Sequence, residues 1–135
     1  MKLTRIRFSE DVSAKLSQLK STNRTGLTPN ILCRIAFCMS VEQPSIPDPD
    51  EYPADANHEI ERHVLLGPWD HLFVAMIKER CKRDGIGTDD EEVLGTYFRA
   101  HVHRGVYLLH KRVKNIGDLI HLMPHELRDD ALASA

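Results

Sequence analysis

The opening residues of the chain alternate between apolar and polar side chains. Over residues 3–8, Ile6 and Phe8 fall on one face of an extended chain, while Arg5 and Arg7 fall on the other. Side chains on a strand switch sides at every residue. The pattern therefore predicts a short strand with one face toward a core and the other toward water or phosphate.

Two helix patterns follow this strand. Ser9 is placed to cap a helix over residues 10–20, in which apolar positions recur with helical spacing and acidic residues occupy the first turn. Gly26 allows a turn, and Thr28 is placed to cap a second helix over residues 29–41, which opens on proline. The order strand, helix, turn, helix is that of a ribbon-helix-helix unit.

The predicted strand has no partner within this unit. A single short strand forms no ladder, and about 40 residues bury too little apolar surface to fold alone. We therefore expect a second copy to pair its strand antiparallel across a twofold axis, which makes the chain an obligate oligomer. In DNA-binding proteins of this class the paired ribbon lies on the duplex, which predicts Arg5, Arg7 and the neighbouring Lys2 as DNA contacts. The alternative is a dimerising strand with solvated arginines.

The remainder of the chain is predicted to be mostly helical. Four prolines and four acidic residues over 43–55 predict an extended surface connector that acts as a spacer, because proline is excluded from helix interiors and central strands. Alternation over Glu59–Leu66 favours a second short strand. Three further helices are predicted, from Pro68 to Arg83, from a cap at Thr88 through Gly105 to Val113, and from Ile116 to Met123.

The fold class predicted from these patterns is mainly α, with one or two short strands in a single domain over residues 1–135. The sequence contains no apolar run typical of a membrane span or signal peptide, so we expect a cytoplasmic protein. The domain divides into a ribbon-helix-helix-like unit over 1–41, the connector over 43–55, a helical part over 56–124 and a loose tail over 125–135.

Charge is segregated along the chain although the net charge is only −2. Residues 1–41 carry seven Lys and Arg against two acidic residues, whereas residues 42–70 carry eight acidic residues against Arg62 alone. The first stretch is predicted to bind an anion. The second is predicted to face away from nucleic acid, or to mimic it toward a protein partner.

Basic residues fall into three groups. The first surrounds the predicted strand and the turn between the helices, where free lysines and arginines would bind a phosphate backbone without reading sequence: Lys2, Lys15, Lys20 and Arg24. The second and third groups fit solvated helix faces that complement helix dipoles. They comprise Lys78, Arg80, Lys82 and Arg83, and then Arg104, Lys111, Arg112 and Lys114.

Histidine and cysteine patterns predict no metal site. His101 and His103 lie two residues apart on a helix, where side chains point about 200° from each other and cannot share an ion, so we interpret them as surface or interface residues. Cys33 and Cys38 lie in an apolar helix, which favours core packing, with a sulfur-carrying thiol activated by Arg34 as the alternative. The sequence lacks the common hydrolase, nucleotide-binding and metalloprotease motifs, so no enzyme activity and no cofactor are predicted.

Four sequence blocks resemble the DndE family of bacterial DNA phosphorothioation proteins, in whose systems sulfur replaces a non-bridging phosphate oxygen of DNA. They cover nearly the full length, and FRAHVHRG within the last block is specific rather than compositional. The blocks are KLTRIRFSEDVSAKLSQL, TGLTPNILCRIA, HEIERHVLLGPWDHLFVAMIKERC and GTYFRAHVHRGVYLLHKRVKNIGDLIHL.

The resemblance implies a homotetramer of ribbon-helix-helix-type units that binds double-stranded DNA, prefers duplex with a nick, and acts with the other DNA phosphorothioation proteins. Surface lysines and arginines are the implied contacts, and the candidates in this sequence are Lys2, Arg5, Arg7, Lys15, Lys20 and Arg24. The alternatives are a ribbon-helix-helix transcription regulator, and a scaffold or sulfur-relay subunit of the same complex.

Overall fold

The computed structural model of the chain describes residues 1–122 and confirms a mainly helical fold with one two-stranded antiparallel sheet. The elements are β1 Arg5–Arg7, α1 Glu10–Lys20, α2 Pro29–Val41, β2 Glu59–Glu61, α3 Arg62–Leu66, α4 Asp70–Arg83 and α5 Glu91–Arg112. Short 3-10 segments cover Pro49–Glu51, Gly67–Trp69 and Ile116–Leu122. Met123, predicted to end the last helix, and the predicted tail over 125–135 lie outside the described residues.

The two N-terminal helices form where their caps predict. The Ser9 hydroxyl accepts a hydrogen bond from the Val12 N–H at 3.2 Å, and α1 buries Val12, Leu16 and Leu19 along one stripe. The second helix also begins at the predicted residue, although the Thr28 side chain makes no capping hydrogen bond. Local capping and periodicity therefore suffice to locate both helices.

The strand β1 has a partner inside its own chain. It pairs antiparallel with β2, and Ile6 lies opposite Ile60, with both side chains buried. The expectation that β1 pairs with the same strand of a second copy is therefore wrong for this ladder. The partner strand comes from beyond the connector, so the pattern of the first 41 residues contains no sign of it.

The segment after β2 is helical, not extended as predicted. Leu65 and Leu66 are each only 1% exposed, while Val64 before them is 46% exposed. Two consecutive buried side chains do not fit a strand with one solvent face, because successive side chains point to opposite sides. The chain therefore leaves the sheet after three residues and forms α3.

The long helix α5 begins slightly later than predicted. Its cap is Asp90 rather than Thr88, since the Asp90 carboxylate accepts hydrogen bonds from the N–H groups of Glu92 at 2.9 Å and Val93 at 3.3 Å. The helix then runs without interruption through Gly105, as its apolar period predicts.

The helices α2 and α5 form the most extensive contact between elements of the described chain. They cross where both backbones come close, because a Cβ added to Gly105 would lie 1.8 Å from the Ala36 carbonyl oxygen. Phe37 and Phe98 stack between the same two helices, with ring centroids 4.6 Å apart and both side chains buried. Glycine is therefore required in the middle of α5.

The Pro-rich connector over 43–55 packs against the helices, whereas the sequence predicts a spacer. Tyr52 is 7% exposed. Two arginines of α5 bind the connector backbone, since Arg104 Nη1 donates to the Ser45 carbonyl at 2.8 Å and Arg99 Nη1 donates to the Tyr52 carbonyl at 2.6 Å. The connector is thus fastened along α5.

We predict that Gly105→Ala lowers the free energy of unfolding. Helix propensity alone favours alanine by about 1 kcal/mol, but the added Cβ would overlap the Ala36 carbonyl, and overpacking of this kind costs about 3 kcal/mol. Urea denaturation followed by circular dichroism measures the difference. Gly87→Ala is the matched control, because no heavy atom lies within 4 Å of its added Cβ. Equal stability of the two variants would contradict the close crossing.

Candidate nucleic-acid interface

The solvent face of the sheet carries no net charge. Arg5 lies opposite Glu61 and Arg7 lies opposite Glu59, and residues that face each other across two strands point to the same side. Arg5 Nη1 is 3.2 Å from the Glu59 carboxylate. Two arginines and two glutamates therefore share the face on which the sequence predicts DNA contact.

Lys2, predicted to act beside the strand, also lies near carboxylates. Its Nζ is 3.3 Å from the Glu92 carboxylate, with the two side chains 70% and 73% exposed. The Met1 amino group is 3.4 Å from Glu91. The acidic first turn of α5 thus offsets positive charge at the start of the chain.

Many arginines of this chain bind its own backbone. A guanidinium group has five N–H donors, so one side chain can satisfy several carbonyl groups at loops and helix ends. Within the described residues, seven arginines donate to backbone carbonyl oxygens: Arg7, Arg24, Arg34, Arg62, Arg80, Arg99 and Arg104. Much of the basic character of the sequence is therefore used inside the fold.

Arg80 is the most deeply buried of these arginines, at 3% exposed. Its Nε donates to the Asp84 carboxylate at 2.8 Å. Its Nη1 donates to the Val41 carbonyl at 2.8 Å, and its Nη2 donates to the Ser45 carbonyl at 2.7 Å. Arg80 thus ties the end of α2 and the connector to α4, and it does not belong to the solvated helix face predicted for it.

The helix α1 runs parallel to the second half of α5. Gln18 Oε1 lies 2.6 Å from His110 Nε2. Further along both segments, Arg24 Nη2 donates to the Val113 carbonyl at 3.0 Å. Because these contacts advance in the same direction along both helices, the C-terminal ends of α1 and α5 lie on the same side of the molecule.

We call the cations of the last turns of α1 and α5, and of the segments directly after these helices, the basic pole. Its members are Lys20, Arg24, Lys111, Arg112 and Lys114. Arg24 and Lys114 both donate to the His110 carbonyl, at 2.7 and 3.2 Å. None of the five forms an ion pair among residues 1–122.

Helix dipoles account for only part of the charge at the basic pole. Each helix C-terminus carries about half a negative elementary charge, so the ends of α1 and α5 together offset about one of the five cations. Asp118 offsets at most one more, and its carboxylate accepts the backbone N–H groups of Lys114 and Asn115 at 2.8 and 3.2 Å. Within the described chain, the pole therefore keeps a net positive charge.

Lys15 lies on the side of α1 that faces α5. Its Nζ is 3.3 Å from the Asp11 carboxylate and 5.0 Å from the centroid of the Tyr107 ring. The Tyr107 hydroxyl also donates to Asp11, and this hydrogen bond is the main reason that the pKa of Asp11 is lowered. Lys15 is thus held by a carboxylate and a cation–π contact, whereas Lys20 makes no hydrogen bond or ion pair with the described residues.

The α5 half of the basic pole lies outside the predicted contact set. The sequence pattern places Lys111, Arg112 and Lys114 on a solvated helix face together with Arg104. The structure separates Arg104 from the others, because Arg104 binds the connector, whereas Lys111 and Arg112 lie in the last turn of α5 and Lys114 shares the His110 carbonyl with Arg24. Local patterns do not reveal that two helices run parallel, so the one available signal is the basic composition of the last turn of α5.

His101 and His103 are buried, which corrects their interpretation as surface or interface residues. Both are 0% exposed. His101 Nδ1 lies 2.8 Å from the Ser40 hydroxyl. His103 Nε2 accepts the Ser9 N–H at 3.3 Å, while its Nδ1 donates to the Arg99 carbonyl at 2.9 Å. Burial, together with nearby arginines, lowers the pKa of His101 to about 3 and the pKa of His103 to about 4.

The three cysteines differ in exposure. Cys33 and Cys81 are buried, but Cys38 is exposed, so the expectation of core packing is wrong for Cys38. Burial raises the pKa of all three thiols, that of Cys81 to about 11, and the Glu42 charge adds to the effect at Cys38. A raised pKa keeps a thiol protonated and poorly reactive at neutral pH.

Two further features concern residues 1–122 as a whole. In this part of the chain, no group of three or more His, Cys, Asp or Glu side chains is arranged so that it could hold a metal ion. None of its helices combines the length and apolar character needed to span a bilayer.

Comparisons with known proteins agree with the sequence resemblance. A family model described as DndE, DNA sulphur modification protein, matches residues 5–116. The crystal structure of DndE from Escherichia coli B7A, involved in DNA phosphorothioation modification, has a TM-score of 0.65 at 25% identity and covers 81% of this chain and 98% of that one. A DndE G21/24K mutant structure has a TM-score of 0.63 at 24% identity, covering 81% and 99%. No curated protein matches the chain.

We predict that Arg80→Met lowers the free energy of unfolding by about 3–5 kcal/mol, the usual cost of breaking a buried ion pair. The substitution leaves Asp84 and the carbonyls of Val41 and Ser45 without their donor. Arg83→Met is the matched control, because Arg83 is exposed on the same helix, and its removal should change stability by less than about 0.5 kcal/mol. Urea denaturation of both variants checks this, and equal midpoints would contradict the buried role.

We also predict that stability falls as pH drops from about 6.5 toward 4. The folded pKa of His103 lies below its unfolded value, so the unfolded chain binds more protons in this window, and stability present above pH 6.5 is lost. His103→Gln keeps an acceptor for the Ser9 N–H and should reduce the slope by up to about 1.4 kcal/mol per pH unit. Urea denaturation of both proteins at pH 7, 6 and 5 checks it, and identical slopes would contradict a neutral buried ring.

Proposed function

Because the chain belongs to the DndE family of DNA sulphur modification proteins, we propose that it is a non-enzymatic, DNA-binding component of a DNA phosphorothioate modification complex. It acts in the cytoplasm with the other proteins of that system. It binds duplex DNA through the sugar-phosphate backbone. The observation that carries this proposal is the exposed, uncompensated positive charge at the end of α1.

The end of α1 supplies the strongest of the predicted contacts. Lys20 is exposed, and the hydrogen bonds of Arg24 go to neutral carbonyl oxygens, so neither charge is cancelled by a carboxylate of the described chain. Such cations bind phosphates without reading base sequence. The other four predicted contacts are weaker candidates, because each of these cations lies beside a carboxylate: Lys2, Arg5, Arg7 and Lys15.

The neutral face of the sheet favours backbone binding over the alternative of a transcription regulator. A regulator of that class inserts its ribbon into the major groove. Here Glu59 and Glu61 would enter the groove with Arg5 and Arg7. The carboxylates would oppose the negative potential of the duplex, so the ribbon is a poor reader of an operator.

We further propose that the protein assembles as a homotetramer. Exposed apolar side chains on elements that contact one another support this, because neighbouring exposed apolar residues can form an interface between subunits. Four large apolar side chains on α2, on α3, in the 3-10 segment Gly67–Trp69 and on α4 are between 38% and 55% exposed: Ile31, Val64, Trp69 and Leu72. A tetramer presents four copies of each basic surface.

Multiple copies on a rigid assembly give a reason to prefer nicked duplex. DNA must bend or open to reach several fixed contacts, and bending an intact site costs about 1–6 kcal/mol. A nick removes one backbone connection and lowers that cost. Additional contacts then form within one complex, so they strengthen binding as linked sites do.

We predict that nicked duplex binds more tightly than intact duplex of the same sequence, and that both affinities fall steeply with salt. Fluorescence anisotropy across ionic strengths measures both, and light scattering gives the solution mass. Lys20→Glu should lower the salt slope by about 0.9, the value of one lost phosphate contact. Lys78→Glu is the matched control, because Lys78 is an exposed lysine on α4 without a hydrogen bond or ion pair among residues 1–122.

A different experimental result would contradict each part of the proposal. Equal affinities for nicked and intact duplex at every ionic strength would remove the nick preference. A monomeric mass would remove the tetramer. Failure to bind either duplex at low salt would remove DNA binding itself.

A further inference from the structure

We infer that the basic pole binds the DNA backbone as one surface, and that its α5 residues Lys111, Arg112 and Lys114 supply phosphate contacts beyond the predicted set. This inference rests on the proposed function and deepens it, because the ligand is the phosphodiester backbone of the same duplex. It joins two basic groups that lie at opposite ends of the sequence.

The two halves of the pole are held together by direct bonds. Arg24 Nη2 donates to the carbonyls of His110 at 2.7 Å and Val113 at 3.0 Å, so the loop after α1 is fastened to the end of α5. The Thr25 hydroxyl donates to the Leu19 carbonyl at 2.5 Å, which closes the end of α1 beneath that loop. Lys114 Nζ also donates to the His110 carbonyl, so Arg24 and Lys114 are held beside the same carbonyl group.

Lys111 and Arg112 are available for a ligand. Both are exposed, and neither makes a hydrogen bond or ion pair with the described residues. The arginines nearer the middle of α5 differ, because Arg99 and Arg104 bind the connector backbone. The end of α5 thus holds cations that the fold does not use.

The pKa of His110 is affected by positive charges that lie near its ring. Burial lowers the pKa of His110, and the nearby charges of Arg24, Lys15 and Lys114 lower it further. Asp11 on α1 is the one carboxylate that acts in the opposite direction on this ring. Lys15 is paired with Asp11, so the remaining positive charge at this ring comes from Arg24 and Lys114, which belong to the basic pole.

The α4 end is the natural comparison for this surface. It also finishes with a consecutive Lys–Arg pair, Lys82 and Arg83, which are exposed and form no ion pair within residues 1–122. Glu79 lies three and four residues before them on the same helix, where side chains are neighbours. Among residues 1–122, the hydrogen bonds of this end lead to the end of α2 and to the acidic connector, so it lacks the second basic segment that the pole has.

The test compares Lys111→Gln/Arg112→Gln with the matched pair Lys82→Gln/Arg83→Gln. Both double variants remove one lysine and one arginine from the last turn of an exposed helix end, so their helix-dipole effects are alike. The affinity for nicked duplex is measured across ionic strengths. We expect the α5 variant to lower the salt slope by about 1.8, which corresponds to two phosphate contacts, and the α4 variant to keep the wild-type slope.

The outcomes separate this inference from the proposed function. If wild type and Lys20→Glu behave as proposed but the α5 variant keeps the wild-type slope, the inference alone fails. A loss of affinity accompanied by a changed solution mass also overturns it, because the pole would then be an assembly surface. If the wild-type protein binds no duplex, the proposed function fails and the inference fails with it.

Discussion

The close approach of α2 and α5 at Ala36 and Gly105 is the constraint on which the other contacts of the fold depend. A glycine in the middle of a helix weakens that helix by about 1 kcal/mol relative to alanine. Packing at the crossing must therefore stabilise the fold by more than this amount. It does so because the short distance lets Phe37 stack on Phe98 and lets the Ser40 hydroxyl reach the ring of His101. With α2 fixed there, one half of α5 extends toward the sheet and the other half extends along α1.

Arginine side chains supply many of the hydrogen bonds that tie loops and helix ends to the rest of the described chain. Carbonyl groups near helix ends would otherwise be poorly satisfied where water is excluded. Arg80 and Arg104 bind carbonyls around the end of α2, Arg34 binds two carbonyls of α3, and Arg24 binds the end of α5. These arginines therefore have fewer N–H donors left for a ligand, although neutral carbonyls do not cancel the charge of a residue such as Arg24.

Local chemistry predicts the helices well, and non-local pairing explains what it misses. The capping hydroxyl of Ser9, the proline that opens α2 and the apolar period of α5 depend on neighbours in sequence, so their elements can be located from sequence alone. The pairing of β1 with β2 depends on a segment beyond the connector. The burial of His103 likewise depends on the residue before α1. The basic pole escapes prediction for the same reason, because it exists only once α1 and α5 lie parallel.

The side chains that lie beside each arginine and lysine decide how much of its positive charge remains available to an anion. In the sheet, the antiparallel register places a glutamate opposite each arginine, so charge of both signs occupies one face. At the basic pole, two helix ends meet without an acidic strand beside them, and the partial charges of the helices cancel only about one cation. A rigid surface with several uncompensated cations binds best where the duplex can bend toward all of them at the lowest cost. Under the function that we propose, a nick would provide such a place, because the interrupted strand lowers the cost of bending toward several cations at once.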